Sequence, residues 1–133
     1  MINRIIISLL FLSVGFSQQE YNGNDLIEMD NGLWTEKFSD EPITGRVFGL
    51  FGENKPYKKV YLGNLRKGKR DGWWNIYYYP TGQKQYAGTW DDGKELGLHI
   101  GWYENGKKEI EGVFKNGKII SLKRWNRDGS VKE

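Results

Sequence analysis

The side chains able to do covalent or metal chemistry are few. The 133-residue chain has a single histidine, His99, and no cysteine. A nucleophile–base–acid triad needs all three groups in one pocket. His99 stands between Leu98 and Ile100, so strand alternation turns it away from both. The expectation is a polar residue on the open face of a sheet. One histidine without cysteine closes the usual zinc ligand sets. Carboxylates come in pairs, at Asp40/Glu41, Asp91/Asp92 and Glu109/Glu111. Glu109 and Glu111 share a strand face, and a glycosidase dyad also uses two carboxyls, but across a cleft. A flat sheet offers no cleft, and solvated cross-strand pairs of Glu111 and Lys115, or of neighbouring Lys107 and Lys108, are expected instead. No acidic loop has EF-hand spacing. The residues point to no enzyme, no metal and no cofactor.

The aromatics are the richer signal: 6 Trp, 8 Tyr and 6 Phe. Along one strand, Trp73, Tyr77 and Tyr79 alternate with Trp74, Ile76 and Tyr78. The second set is expected on the packed face. The first set then lies on the opposite face, with Tyr103 one repeat further on in register with Tyr79. Exposed Trp and Tyr anchor protein interfaces and also stack on sugars. Trp73, Tyr77, Tyr79 and Tyr103 are therefore the candidate interaction surface, for an unidentified protein partner or a glycan. A thin sheet also uses aromatics on both faces for cross-strand cohesion alone, and that alternative stays open.

These residues are carried by an internal repeat. Tyr86-Ala-Gly88-Thr-Trp90-Asp-Asp-Gly93 aligns with Ile110-Glu-Gly112-Val-Phe114-Lys-Asn-Gly117, and earlier with Tyr61-Leu-Gly63-Asn-Leu65-Arg-Lys-Gly68. A degenerate first copy is Ile43-Thr-Gly45-Arg-Val47, and Arg124 to Gly129 echoes Gly101 to Gly106 as a last half-unit. Two kinds of glycine recur. Gly45, Gly63, Gly88 and Gly112 sit inside strands, where a glycine weakens the strand and needs a reason. The expected reason is space for an aromatic from the next strand to lie across the backbone, with Tyr78 and Trp102 as the covering rings. Gly68, Gly82, Gly93, Gly106, Gly117 and Gly129 occupy turns, four of them in the Asn-Gly or Asp-Gly pairs that tight hairpins favour. Strands are expected near 43–51, 57–66, 73–79, 84–91, 98–104, 107–115 and 118–125. Leu26–Met29 and Leu33–Glu36 flank Asp30-Asn31-Gly32 as a smaller hairpin. Such an array needs atypical ends to cover its last apolar face.

The stretch from Tyr86 to Gly106 resembles one MORN unit, and so does Tyr61 to Gly82. Gly32-Leu-Trp34 and Pro42-Ile-Thr-Gly45 are similar to the MORN-repeat variant family often labelled YwqK-type antitoxins. The resemblance covers roughly residues 25–130. It implies an all-β fold, an elongated single-layer antiparallel meander of stacked β-hairpins. It also implies scaffolding, membrane-apposition or dimerisation roles, or an antitoxin-like one.

The first residues read differently. Asn3 and Arg4 precede an apolar run from Ile5 to Phe16, and Gly15-Phe16-Ser17 has the small residues of a cleavage site. That is the pattern of a secretory signal peptide, too short an apolar run to span a bilayer. The expected organisation is a signal peptide at 1–17, an N-terminal cap with a small hairpin at 18–42, and repeats from 43 to 133. The mature chain is expected in the periplasm or outside the cell, with no transmembrane span. Net charge is only +3, with basic and acidic residues interleaved. This describes a solvated surface and not a nucleic-acid footprint.

Overall fold

The computed structural model describes residues 18–133. The leader expected over 1–17 lies outside them. The described chain forms ten strands and one turn of 3-10 helix, with no α-helix. The strands are β1 Glu20–Asn22, β2 Leu26–Glu28, β3 Trp34–Glu36, β4 Gly45–Phe51, β5 Lys58–Arg66, β6 Lys69–Tyr77, β7 Lys84–Asp91, β8 Lys94–Trp102, β9 Lys108–Lys115 and β10 Lys118–Arg124. From β4 to β10 each strand pairs antiparallel with the next, a β-meander. The expected small hairpin is present as the separate two-stranded sheet β2–β3. A strand the sequence did not announce, β1, adds parallel to β4 at the first edge.

Turn chemistry follows the sequence. Lys67, Asp92 and Asn116 all take positive φ immediately before a positive-φ glycine, the backbone of two-residue I′ turns. These turns are so tight that β6 and β8 begin at Lys69 and Lys94, four residues earlier than expected. Gly72 and Gly97 consequently lie inside strands at φ +80° and +68°. Opposite Gly97 the pairing slips: Ala87 faces Ile100, but Thr89 faces Leu96. Such a bulge re-aims the side chains beyond it.

One row crosses the sheet from edge to edge. Tyr21 pairs with Val47, Val47 with Gly63, Trp74 with Gly88, His99 with Gly112, and Gly112 with Leu122. The gaps in that row are closed by rings lying on glycines. A Cβ at Gly63 would fall inside the Trp74 indole, and one at Gly88 inside the His99 imidazole. Gly63 and Gly88 therefore make room for rings of the next strand as expected, but the covering rings are Trp74 and His99, not Tyr78 and Trp102; at Gly45 the nearest group is the Gln19 carbonyl, and at Gly112 the Phe114 ring of the same strand. Tyr78 and Trp102 instead meet each other: the Tyr78 hydroxyl donates to the Trp102 carbonyl at 2.8 Å.

His99 corrects a second expectation. It is 1% exposed while Leu98 is 47% exposed, so the polar ring is the buried one. Nε2 lies 2.8 Å from the Thr89 carbonyl oxygen, which can only accept, so Nε2 carries the proton. Nδ1 is hydrogen-bonded to the Tyr86 hydroxyl at 3.0 Å. Trp90 and Phe114 pack against the ring with centroids 4.6 and 4.8 Å away. With both nitrogens satisfied, a histidine is an acceptable core residue.

The main core gathers Tyr21, Leu26, Ile43, Val47, Leu65, Trp74 and Trp90, with Trp34, Leu62 and Tyr86 against it. It forms where the segment before β4 folds back over one face of the sheet. Three backbone hydrogen bonds fasten that cap: Trp34 N–H to Gly68 O at 2.8 Å, Gly68 N–H to Ile43 O at 2.8 Å and Ile43 N–H to Trp34 O at 3.2 Å. Thr35, fully buried, places its hydroxyl 2.7 Å from the Glu41 carbonyl oxygen. Gly68 thus does more than turn the chain, because a Cβ there would meet Leu33 and Pro42 at 3.0 Å.

Candidate functional site: a groove between cap and sheet

The expectation that the sheet is flat and without a cleft does not hold where the cap covers it. Between the cap and strands β4 to β6 lies a cavity of about 330 Å³. Gly23, Asn24, Leu26 and Trp34 of the cap form one wall. Val47, Gly49, Leu50 and Phe51 of β4, Leu62 and Leu65 of β5, and Trp74, Ile76 and Tyr77 of β6 form the rest, with Tyr79 beyond. Local sequence explains the opening. Gly23 and Gly49 contribute no side chain, and β5 bulges at Leu62, the extra residue between the partners of Val47 and Phe48. The Phe51 ring packs edge-on against Tyr77 at 5.6 Å and props that end. The cavity continues into a second depression lined by Asn24, Leu50, Tyr57 and Tyr79. Tyr57 is 41% and Tyr79 71% exposed, so this end is the mouth.

The one charged residue of the cavity wall is Arg70, at the other end. Its guanidinium carbon lies 5.1 Å from the ring centres of Trp74 and Trp90 and 5.6 Å from that of Trp34. Cations are attracted to aromatic faces at such distances. Burial pulls the Arg70 pKa below the usual guanidinium value, while Glu28 and Glu95 pull it back up. Arginine nonetheless keeps its charge in proteins. Among the described residues the ion pairs are Lys59–Glu20, Arg66–Asp71, Lys69–Asp92 and Lys108–Glu111. None includes Arg70. In the last of them Glu111 pairs with Lys108 three residues away on its own strand, not with Lys115 and not across strands as expected.

The four aromatics singled out from the sequence do not share one site. Tyr77 and Tyr79 come together in the groove, beside Trp74 and Ile76 and not on the face opposite them as expected, because the pairing slips between Ile76 and Tyr77. Trp73 is 52% exposed and lies outside it. Tyr103 is half-buried, its hydroxyl donating to the Trp125 carbonyl at 2.8 Å, with Arg127 5.2 Å above its ring. That bond repeats the one from Tyr78 to Trp102, and Gly82 and Gly106 donate to the Tyr78 and Tyr103 carbonyls. Tyr103 is therefore the counterpart of Tyr78, not of Tyr79. The extra residue is Pro80, which lengthens the earlier turn by one. Trp34, Phe51 and Arg70 were missed. Starting β6 at Lys69 would have revealed Arg70, since it then shares alternation with Trp74 and Ile76.

Among the described residues no group of three or more His, Asp or Glu side chains is placed to hold a metal ion. His99, the one imidazole, is sealed in the core away from the groove. No described helix is long and apolar enough to cross a membrane. Comparison with protein-family models, with curated proteins and with solved structures found no match to this chain.

Proposed function

We propose that this protein is a non-enzymatic, exported interaction module. In this reading a MORN-like β-hairpin array acts as a rigid platform, and the groove under its cap receives an apolar segment of a protein partner. The observation that carries it is the aromatic-walled cavity of about 330 Å³. Concave, mostly apolar sites with a few polar groups are where ligands bind. Rigid aromatic side chains at such a site lose little entropy on binding. Residues that do chemistry are not gathered there, so recognition accounts for the groove better than catalysis does.

The test is capture of partners from the native envelope fraction by the wild-type protein and by Leu50→Trp, which fills the groove. The expected result is a defined protein retained by the wild type and lost from the variant. A partner held equally by both would remove the groove from the reading. A consistently empty capture would overturn the reading itself.

A second reading, glycan binding at the mouth of the groove, is favoured by the exposure of Tyr79 at 71% near Tyr77. Glycan-array signal lost in Tyr77→Ala and Tyr79→Ala would support it, and the absence of signal on any glycan would exclude it.

A further inference from the structure

The charge at the inner end of the groove has no partner of opposite sign in contact with it. Arg70 sits among Trp34, Trp74 and Trp90, outside every ion pair of the described residues. Glu28 and Glu95 lie around a neighbouring depression that they line with Lys69 and Arg70, and they act on Arg70 at longer range. Arg70 is half-buried, and a cation partly withdrawn from water without a contacting carboxylate is less favourable than a paired one. Its fork of donors matches a carboxylate in a two-point contact. Going outward from Arg70, the walls are apolar at Leu65, Trp74 and Ile76, then aromatic at Tyr77 and Tyr79. The order along the groove is a cation, an apolar chamber and an open exit.

We propose that the groove binds the C-terminal residue of the protein partner: its carboxylate on Arg70, its apolar side chain against Trp74 and Ile76, and the preceding residues leaving past Tyr79. This rests on the groove being the partner site. A chain end suits the chamber better than an internal Asp or Glu. An internal residue would bring two flanking peptide groups against walls whose polar side chains, Arg70 aside, are Asn24 and the tyrosines toward the mouth, too few to pair them all, whereas a terminus stops there. The volume of about 330 Å³ is at the small end for ligand sites, suited to one large side chain and its carboxylate. A polyanionic partner such as a nucleic acid would need several cations in contact, and the groove wall holds one.

The experiment is calorimetric titration of the protein with an N-acetylated tetrapeptide ending in phenylalanine with a free carboxylate, with the same peptide amidated, and with 3-phenylpropionate. The free-acid peptide is expected to bind at least about tenfold more tightly than its amide, the scale of a charge-assisted hydrogen bond, and more tightly than 3-phenylpropionate. Arg70→Gln should abolish the preference for acid over amide, and Arg70→Lys should keep part of it. Equal binding of acid and amide to the wild type would overturn the proposal, as would failure of both peptides to bind. Binding of 3-phenylpropionate as tightly as the peptide would make the groove a site for small free acids and overturn it too. The wild-type comparison stands whether or not either variant folds. Each of these failures leaves the wider partner reading to the Leu50→Trp capture.

Discussion

The imidazole of His99 occupies the space in which residue 88 would carry a β-carbon. Gly88 and His99 are thus one packing unit, the glycine of β7 and the ring of β8. Gly63 and Trp74 form the same unit on β5 and β6. Gly88→Val should destabilise the protein by about 1–3 kcal/mol through overpacking, read as a lower thermal midpoint. Gly112→Val should cost less, because its nearest neighbours are Phe114 at 3.0 Å and Leu122 at 3.7 Å, and Leu122 is 43% exposed and able to move. Unchanged midpoints in both variants would refute the packing account.

The hydrogen bonds of His99 should be measurable separately from its bulk. His99→Phe keeps a ring over Gly88 but strands the Thr89 carbonyl and the Tyr86 hydroxyl. A loss of about 1–3 kcal/mol is expected for such unsatisfied buried groups. Tyr86→Phe removes one bond and should cost about 1 kcal/mol. Together the two changes should be less than additive, since they share that bond. Strict additivity in chemical denaturation would argue against the Tyr86–His99 contact.

Gly68 holds the cap as well as the turn. Gly68→Ala would place a Cβ 3.0 Å from Leu33 and Pro42 at a φ of +77°, where side chains are strained. The hairpin β2–β3 should loosen, and the Trp34 N–H, which donates to Gly68, should exchange faster with deuterium. Hydrogen exchange followed by mass spectrometry checks this. Faster exchange across the whole sheet with no local excess at 26–43 would show that the glycine acts on global stability only.

The first edge of the sheet should be acid-sensitive. Lys59 and Tyr61 both donate to the Glu20 carboxylate, and the Lys59 bond first, then that of Tyr61, holds its pKa below the usual glutamate value. A carboxyl with a depressed folded pKa contributes its stability above its unfolded value, about 4, and loses it as pH falls through the folded value. The wild type should therefore exceed Glu20→Gln in urea midpoint near neutral pH, with the gap closing in acid below about pH 4. A gap independent of pH would exclude the ionic contribution. The pair is exposed, so high salt should shrink the gap as well.

Much of the frame was legible before any coordinates. The strand at 84–91 was read to the residue, because Gln83 and Asp92-Gly93 bound an unbroken alternation. Trp74 was placed on the packed face and Trp73 on the open one, as found. The readings failed where a glycine of positive φ entered a strand. Gly72 and Gly97 stand just before the strand starts expected at 73 and 98, and four residues each of β6 and β8, Arg70 among them, precede those starts. His99 was assigned to the wrong face because a polar side chain was assumed to seek water. Its two ring nitrogens instead find the Thr89 carbonyl and the Tyr86 hydroxyl. Those partners are 10 and 13 residues away and meet it only across paired strands.

The sequence by itself determined the all-β hairpin repeat. Turn pairs such as Asp92-Gly93 and period-two alternation act over a few residues, and each can be read where it stands. Tertiary structure alone decided which ring lies on which glycine and which face became the interior. It also decided that the segment before β4 would fold back to leave a groove ending at Arg70. Alternation distinguishes two faces of a strand but does not say which one is covered. A bulge such as that at Gly97 shifts one strand against its neighbour. The cap that does the covering is brought to Gly68 by hydrogen bonds between residues far apart in the chain.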